Sequence, residues 1–173
     1  MVLHEVKNDL TRLWCGPAAL SAISGKPASI CQAAIAVERG SPTKIVRGVH
    51  HWEMCQALKT LGYNTIIENK FPSAPYGFPK EKRLTVAALL RTRKDWAVTD
   101  PGKTMYLITA GHHYMVVKGK KFVDSFTRTP TWIRQAPHRR KRVLRVWRVE
   151  RIDGTRPVRA DVRAVRQALK GAA

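Results

Sequence analysis

Cysteine and acidic side chains are both scarce in this sequence of 173 residues. The three cysteines stand at positions 15, 31 and 55, an odd number with no pair at CxxC spacing. Such a set does not build a disulfide framework, and it lacks the ligand spacing of a cysteine zinc site. We therefore expect free thiols and no metal site, with Cys31 and Cys55 interpreted as packing residues.

Long apolar runs are also absent. No stretch approaches the length needed to cross a membrane, and the residues His4, Glu5, Lys7 and Asp9 are not typical of a secretory signal. The apolar fraction of 44% is still enough for a folded globule with a normal core. We expect an intracellular or particle-associated protein.

The deficit of acidic residues leaves a net charge of +20, from 32 Lys and Arg against 12 Asp and Glu. Residues 128–173 alone hold 14 basic and three acidic residues. A field of this strength attracts nucleic acid, an anionic surface or an acidic protein, although an arginine-rich surface without such a partner has the same composition. No base-reading motif is visible, so sequence-specific recognition is not expected. The candidate polyanion-binding residues are Arg139, Arg140, Lys141, Arg142, Arg159, Arg163, Arg166 and Lys170.

The order of the predicted elements indicates an α+β domain, with helices first and an antiparallel sheet after them. Glycines that follow three apolar-patterned segments predict helix C-termini. Ser29 with Gln32 has the pattern of a capping box, and Thr85 is a candidate N-cap. The predicted helices are Cys15–Ser24, Ser29–Arg39, Val49–Leu61, Val86–Arg91 and, at the basic C-terminus, Val158–Lys170.

The predicted strands are short and are separated by turn residues. The last of them alternates strongly, with Val143 on the face of Trp147 and Val146 on the opposite face. Irregular composition predicts loops at 69–83 and 95–103. The predicted strands are Tyr63–Ile67, Thr104–Thr109, His113–Val117, Lys121–Asp124 and Arg142–Glu150.

Cys15 has the sequence context of a reactive thiol. The run Trp14-Cys15-Gly16-Pro17 places it where a helix begins, and proline is tolerated in the first turn. Unpaired N–H groups and the positive end of the helix dipole lower the pKa of a thiol there. Gly16 leaves room for a substrate to approach the backbone. Cys15 is therefore the candidate nucleophile, and its own N–H is a candidate donor to an oxyanion.

Two adjacent histidines and one acid are the candidates for the other catalytic groups. If two residues of Lys118-Gly119-Lys120 form a hairpin turn, Asp124 lies on the face of His113, opposite it or one diagonal step away. His112 then lies on the other face, and a three-residue turn would reverse this choice. We favour His113 as the general base and Asp124 as the group that orients it.

The second oxyanion donor is usually an amide side chain shortly before the cysteine. Asp9 lies six residues upstream, and its carboxylate would repel the developing charge. Asn8 has the required chemistry. Asn8 is therefore the candidate donor.

The runs Cys15-Gly16-Pro17-Ala18-Ala19-Leu20 and His113-Tyr114-Met115-Val116-Val117, with Val123-Asp124-Ser125, resemble the papain-like cysteine peptidases. The likeness is greatest to the bacteriocin-processing (double-glycine leader) peptidases and their phage-encoded relatives, and it covers about residues 8–126. It implies a papain-like domain over 1–127, with a basic C-terminal extension, 128–173, packed on it or projecting from it. It also implies a peptidase that acts on a peptide or protein without a cofactor, through a Cys15, His113 and Asp124 triad. Asp9 stands where the family has glutamine.

The alternative is a catalytically impaired papain-like structural or binding protein. Its basic C-terminal region would hold nucleic acid or an acidic protein, for example in virion assembly. The likeness to phage proteins implies that the chain is found in the host cytoplasm or in the virion.

Overall fold

The computed structural model describes residues 1–41, 46–67, 84–92 and 104–152. Within them, N-terminal helices are followed by a six-stranded antiparallel sheet, the α+β organisation that the sequence predicts. The helices are α1 (Cys15–Ser24), α2 (Ala28–Glu38), α3 (His51–Thr60) and α4 (Val86–Thr92). The strands are β1 (Tyr63–Ile67), β2 (Met105–Ala110), β3 (His113–Lys118), β4 (Lys121–Val123), β5 (Thr131–Trp132) and β6 (Val143–Arg151), with a 3₁₀ turn at Ile133–Gln135.

Helix α1 has the predicted bounds. Gly25 ends it in the left-handed conformation, at φ 68°, and its N–H donates to the carbonyl of Ser21. Ala18, Ala19 and Ala22 are fully buried, and their small side chains allow α2, α3 and β3 to pack closely around the helix. This tight packing fixes the position of the first residue of the helix.

Helix α2 begins at Ala28, and the capping box predicted at Ser29 was wrong. The carboxylate of Asp9 caps the helix instead. It accepts hydrogen bonds from the Ser29 N–H, at 2.8 Å, and from the Ser29 hydroxyl. A carboxylate suits this position because it satisfies an orphan N–H and complements the helix dipole.

Helix α3 begins at His51, two residues later than predicted. Glu53 accepts a hydrogen bond from the His50 N–H, at 2.6 Å, and forms a bidentate ion pair with Arg39. The segment before α3 runs along the start of α1, where a Cβ on Gly16 would lie 2.6 Å from Val49 Cγ2. The close approach that Gly16 permits in this structure is therefore to Val49.

The sheet has the order β1-β6-β2-β3-β4-β5, and every neighbouring pair is antiparallel. Gly111 and His112 turn the chain between β2 and β3. Gly119 and Lys120 do so between β3 and β4, where Lys118 pairs with Lys121. The short edge strand β5 was not predicted.

The sheet has a core on each face. On the first face Leu107, Val116 and Trp147 pack against α1, α2 and α3, and on the second Val146 packs near α4. Trp147 and Val146 thus lie on opposite faces, as predicted. The prediction for Val143 was wrong, because it packs with the second core. The pairing of β2 with β6 shifts between Thr109 and Ala110, and this bulge changes the alternation.

Strand β6 belongs to the predicted basic extension, and it lies in the sheet between β1 and β2. The division of the chain at 127/128 stays a prediction. The predicted loops at 69–83 and 95–103 and the predicted helix Val158–Lys170 lie outside the described residues. None of the described helices is long and apolar enough to cross a membrane.

Candidate active site

Cys15 is the first residue of α1, and it is half-buried. Burial raises the pKa of its thiol, but hydrogen bonds from the His113 ring and from the N–H groups of Tyr114 and Gly16, with the charge of His113, lower it. The net result is a pKa below the ordinary value. Cys31 is the opposite case, because burial raises its pKa to about 12.

His113 is the first residue of β3 and directly follows the β2–β3 turn. The turn residues Gly111 and His112 both have left-handed backbones, at φ 55° and 62°, as in a type I′ hairpin. The side chain of His112 is exposed at this turn. The His113 side chain is 13% exposed, and its Nε2 lies 3.2 Å from Asp124 Oδ2. The structure therefore brings His113, rather than His112, to Cys15 and Asp124.

Asp124 directly follows β4 and is fully buried. Its Oδ1 accepts hydrogen bonds from the N–H groups of Phe126, at 2.9 Å, and Thr127, at 2.8 Å, and from the Thr127 hydroxyl at 3.1 Å. Burial raises the pKa of this carboxyl, but the bonds from His113 and from these N–H groups outweigh it. The pKa is therefore below its usual range, and the carboxylate is ionised with Oδ2 aimed at the ring.

The His113 ring is held between two acidic groups. Burial lowers its pKa, but the hydrogen bonds with Asp124 and Cys15, and their charges, raise it to about 9. Since Nε2 faces Asp124, Nδ1 is the nitrogen left for the thiol. The site can therefore hold a thiolate beside an imidazolium.

Tyr114 ties the site to the start of α3. Its N–H helps to lower the pKa of the Cys15 thiol. Its hydroxyl donates to the carbonyl of Val49 at 3.2 Å and shares a hydrogen bond of 2.9 Å with His51 Nδ1. Burial lowers the pKa of His51, and the nearby positive charge of Arg145 adds to this effect. Sequence analysis missed both residues because no local motif marks a contact between elements more than 60 positions apart.

His138 is a further residue of the site that sequence analysis missed. Its ring centroid lies 4.6 Å from that of His113, and Phe126 packs against both rings, at 5.3 Å from His113 and 5.0 Å from His138. The rings of Phe126 and His138 therefore pack beside the hydrogen bond between His113 and Asp124. His138 stands in a run of basic residues with no recognisable pattern, so only the fold shows its position. One ligand atom each from His113, Asp124 and His138 lie within 4.8 Å of one another, which would allow them to hold a metal ion.

The predicted oxyanion donor Asn8 is exposed, and its Oδ1 accepts a hydrogen bond from the Leu10 N–H at 3.2 Å. Asp9 is held by Ser29 at the start of α2. Among the described residues, neither side chain has a hydrogen bond with Cys15. The role predicted for Asn8 stays a prediction.

The basic residues 139–142 are all exposed, beside His138. Their backbone is fixed, because Val86 N–H donates to the carbonyl of Lys141 at 3.0 Å and Ala87 N–H to that of Arg139 at 2.9 Å. The other predicted polyanion-binding residues lie outside the described residues. They are Arg159, Arg163, Arg166 and Lys170.

Comparison of the chain with protein-family models, with curated proteins and with solved structures finds no match.

Proposed function

We propose that this chain is a thiol hydrolase, most simply a peptidase, with a papain-like arrangement of its helices and sheet. The proposal rests on one observation: Cys15 lies close enough to His113 for the ring to lower the pKa of the thiol, and the Nε2 of this histidine lies 3.2 Å from a buried carboxylate. The thiol has a lowered pKa and His113 a raised one, which is the combination that a thiolate–imidazolium pair requires. The position of the cysteine at a helix start, with the histidine at the start of β3 and the acid directly after β4, also agrees with the resemblance in sequence.

The first half of the reaction forms an acyl-enzyme. The thiolate of Cys15 attacks the carbonyl carbon of the substrate, a C–S bond forms, and the π electron pair moves to the oxygen. The N–H of Cys15, an orphan donor at the start of α1, stabilises this oxyanion. His113 Nδ1 then gives its proton to the leaving amine as the C–N bond breaks.

The second half regenerates the thiolate. Neutral His113 takes a proton from water, whose oxygen attacks the thioester carbon. The tetrahedral intermediate collapses, the C–S bond breaks, and the acid product leaves while the ring keeps the proton. Asp124 holds Nε2–H throughout and fixes the ring orientation without itself gaining a proton.

Alkylation with iodoacetamide, mapped by mass spectrometry, tests the reactive thiol. We expect Cys15 to react fastest, with half-buried Cys55 as the internal control and buried Cys31 the slowest. His113→Ala should slow the labelling of Cys15 by about tenfold or more, because the thiol pKa returns toward its ordinary value of about 8.5. His112→Asn is the matched control, since asparagine accepts the left-handed backbone of this exposed position.

Hydrolysis of a peptide library tests the reaction itself. We expect turnover by the unaltered chain and none by Cys15→Ala. Equal labelling of the three cysteines, or unchanged labelling of Cys15 in His113→Ala, would refute the proposal.

A second candidate function is binding of nucleic acid or of an acidic protein surface. It is supported by the exposed residues Arg139, Arg140 and Lys141, whose backbone is fixed against α4. The binding constant for duplex DNA should be measured at several salt concentrations. Its logarithm, plotted against the logarithm of the salt concentration, should fall with a slope of about −0.9 for each phosphate contact. Substitution of these three residues by glutamine should reduce the slope, whereas Lys120→Gln with Lys121→Gln, at an exposed hairpin, is the control. A shallow slope in the unaltered chain would rule out binding dominated by phosphate contacts.

A further inference from the structure

We propose that His113, Asp124 and His138 form a binding site for a divalent transition ion of the zinc type, and that an ion held there switches off the thiol site. The binding half of this proposal needs only the geometry of the three side chains. The inhibitory half rests on the proposed thiol hydrolase.

The three residues meet in space although they belong to different parts of the chain. Their ligand atoms lie within 4.8 Å of one another, and His113 Nε2 is 3.2 Å from Asp124 Oδ2. Zinc bonds of about 2.0–2.2 Å in a tetrahedral arrangement place neighbouring ligand atoms about 3.3 Å apart. One pair of ligands therefore already has this spacing, and the ligand atom of His138 lies within 4.8 Å of both.

The Nε2 atom of His138 points independently to a ligand. It is buried, and among the described residues it has no hydrogen-bond partner. A buried polar atom without a partner is unfavourable, and such atoms in folded proteins are generally satisfied by a partner, water or an ion. An ion between His138 and the His113–Asp124 pair would satisfy it.

The types of ligand indicate the class of ion. Two imidazoles and one carboxylate suit zinc and similar transition ions, whereas magnesium and calcium prefer oxygen ligands. Asp124 is also oriented in advance, because its Oδ1 accepts hydrogen bonds from Phe126 and Thr127 while Oδ2 stays directed at the cluster. The fourth tetrahedral position is left for water. The cysteine spacing considered in the sequence could not reveal such a site, because no cysteine belongs to it.

Occupancy of this site and activity of the thiol exclude one another. An ion on His113 Nε2 takes the place of the proton that the ring shares with Asp124. His113 then cannot form the imidazolium that stabilises the Cys15 thiolate and protonates the leaving group. The exposed cations 139–142 beside His138 repel a positive ion and limit the affinity.

The experiment measures Zn²⁺ binding by isothermal titration and, separately, the rate of iodoacetamide labelling at Cys15. We expect one Zn²⁺ per chain, also in Cys15→Ser, because the thiol is not a ligand. His138→Gln should weaken binding by about tenfold or more, whereas His112→Asn, in the exposed turn, should bind like the unaltered chain. Mg²⁺ should not compete.

Labelling provides the second readout. Zn²⁺ should slow the labelling of Cys15, and a chelator should restore it. The labelling rate of His138→Gln with Zn²⁺ is compared with the rate of the same variant without metal. We expect the variant to need about ten times more Zn²⁺ than the unaltered chain for the same degree of slowing.

Absence of stoichiometric binding, its loss in Cys15→Ser, or unchanged affinity in His138→Gln would each overturn the site. Binding that needs His138 but leaves labelling unchanged would overturn the inhibitory half alone. Binding in Cys15→Ser with no peptide hydrolysis by the unaltered chain would refute the hydrolase and leave the metal site standing.

Discussion

Asp124 determines which nitrogen of His113 the thiol meets. Its Oδ1 is occupied by hydrogen bonds from Phe126 and Thr127, so only Oδ2 is available to the ring. This carboxylate oxygen holds a proton on Nε2, and Nδ1 is therefore free to exchange a proton with Cys15. In the proposed hydrolase, this single buried residue sets both the orientation of the His113 ring and its tautomer.

Asp124→Asn should abolish this control while leaving the shape of the site intact. The three hydrogen bonds to Oδ1 require the amide oxygen on that side, so the amide N–H₂ would face Nε2 and donate to it. The ring would then have its proton on Nδ1 and could not accept one from the thiol. We expect kcat/KM for peptide hydrolysis to fall by about 10²- to 10⁴-fold. An Asn variant that labels at Cys15 and hydrolyses peptide at the original rates would contradict this role.

The pH dependence of hydrolysis and of alkylation should distinguish the role of the Cys15 thiol from that of the His113 imidazole. Hydrolysis should rise as pH passes through the lowered pKa of Cys15, because the thiolate forms. It should fall as pH passes about 9, because His113 loses the proton that the leaving group needs. Alkylation needs only the thiolate, so it should reach a plateau without the upper fall. Two identical profiles would argue against His113 as the proton donor.

At the residue scale, local rules predicted the contact between His113 and Asp124 but not the surroundings of the pair. A two-residue hairpin turn at Gly119 and Lys120 is enough to place His113 and Asp124 on one face, so this part follows from the sequence. His138 reaches the same place from a segment with no regular pattern. Its approach depends on how the chain packs after β5, and no spacing rule applies to it.

At the scale of single elements, Asp9, six residues before Cys15, has a structural role at the start of α2. The resemblance implies an amide side chain here that would serve the oxyanion, but the carboxylate caps α2 instead. Helix α2 packs against both α1 and α3, so its N-terminus is part of the framework around Cys15.

Asp9→Ala should therefore reduce stability and leave the thiol unchanged. Loss of an N-cap costs about 0.5–2 kcal/mol in the free energy of unfolding, measured by urea denaturation. Asp9→Asn is the matched control because it keeps an acceptor oxygen and should cost less. A tenfold or larger change in the labelling rate of Cys15 in Asp9→Ala, with little change in stability, would instead place Asp9 in the site.

Element boundaries were predictable where the signal is local. Gly25 and the apolar pattern define α1, and Thr85 precedes α4 and accepts a hydrogen bond from the Ala88 N–H at 3.1 Å. The start of α2 was not predictable, because its cap lies 20 residues away. The face of Val143 was mispredicted for a similar reason: the bulge arises from pairing with β2, which the sequence of β6 alone does not encode.

At the scale of the whole molecule, β6 joins strands from distant parts of the chain into one sheet. Strand β6 comes from the basic C-terminal part, yet it pairs with β1 on one side and β2 on the other. Its residues Trp147 and Val149 complete the core against the helices, and Val146 completes the core on the opposite face. The helix that begins at Cys15 and the sheet that contains His113 therefore both pack with residues that follow position 127.

The fragment 1–127 should consequently not fold on its own. Without β6, β1 loses the one strand that pairs with it among the described residues, β2 keeps only β3, and both cores lose large buried side chains. Truncation of one such side chain costs about 2–5 kcal/mol, and a whole domain is stable by only about 5–15 kcal/mol. We expect the fragment to lack a cooperative urea transition and to label Cys15, Cys31 and Cys55 at similar rates. In the full chain, Trp132→Ala on the exposed edge strand β5 is the control and should keep the transition, because that side chain is 47% exposed. A fragment that unfolds cooperatively and still labels preferentially at Cys15 would show an autonomous domain with β6 as a dispensable addition to its sheet.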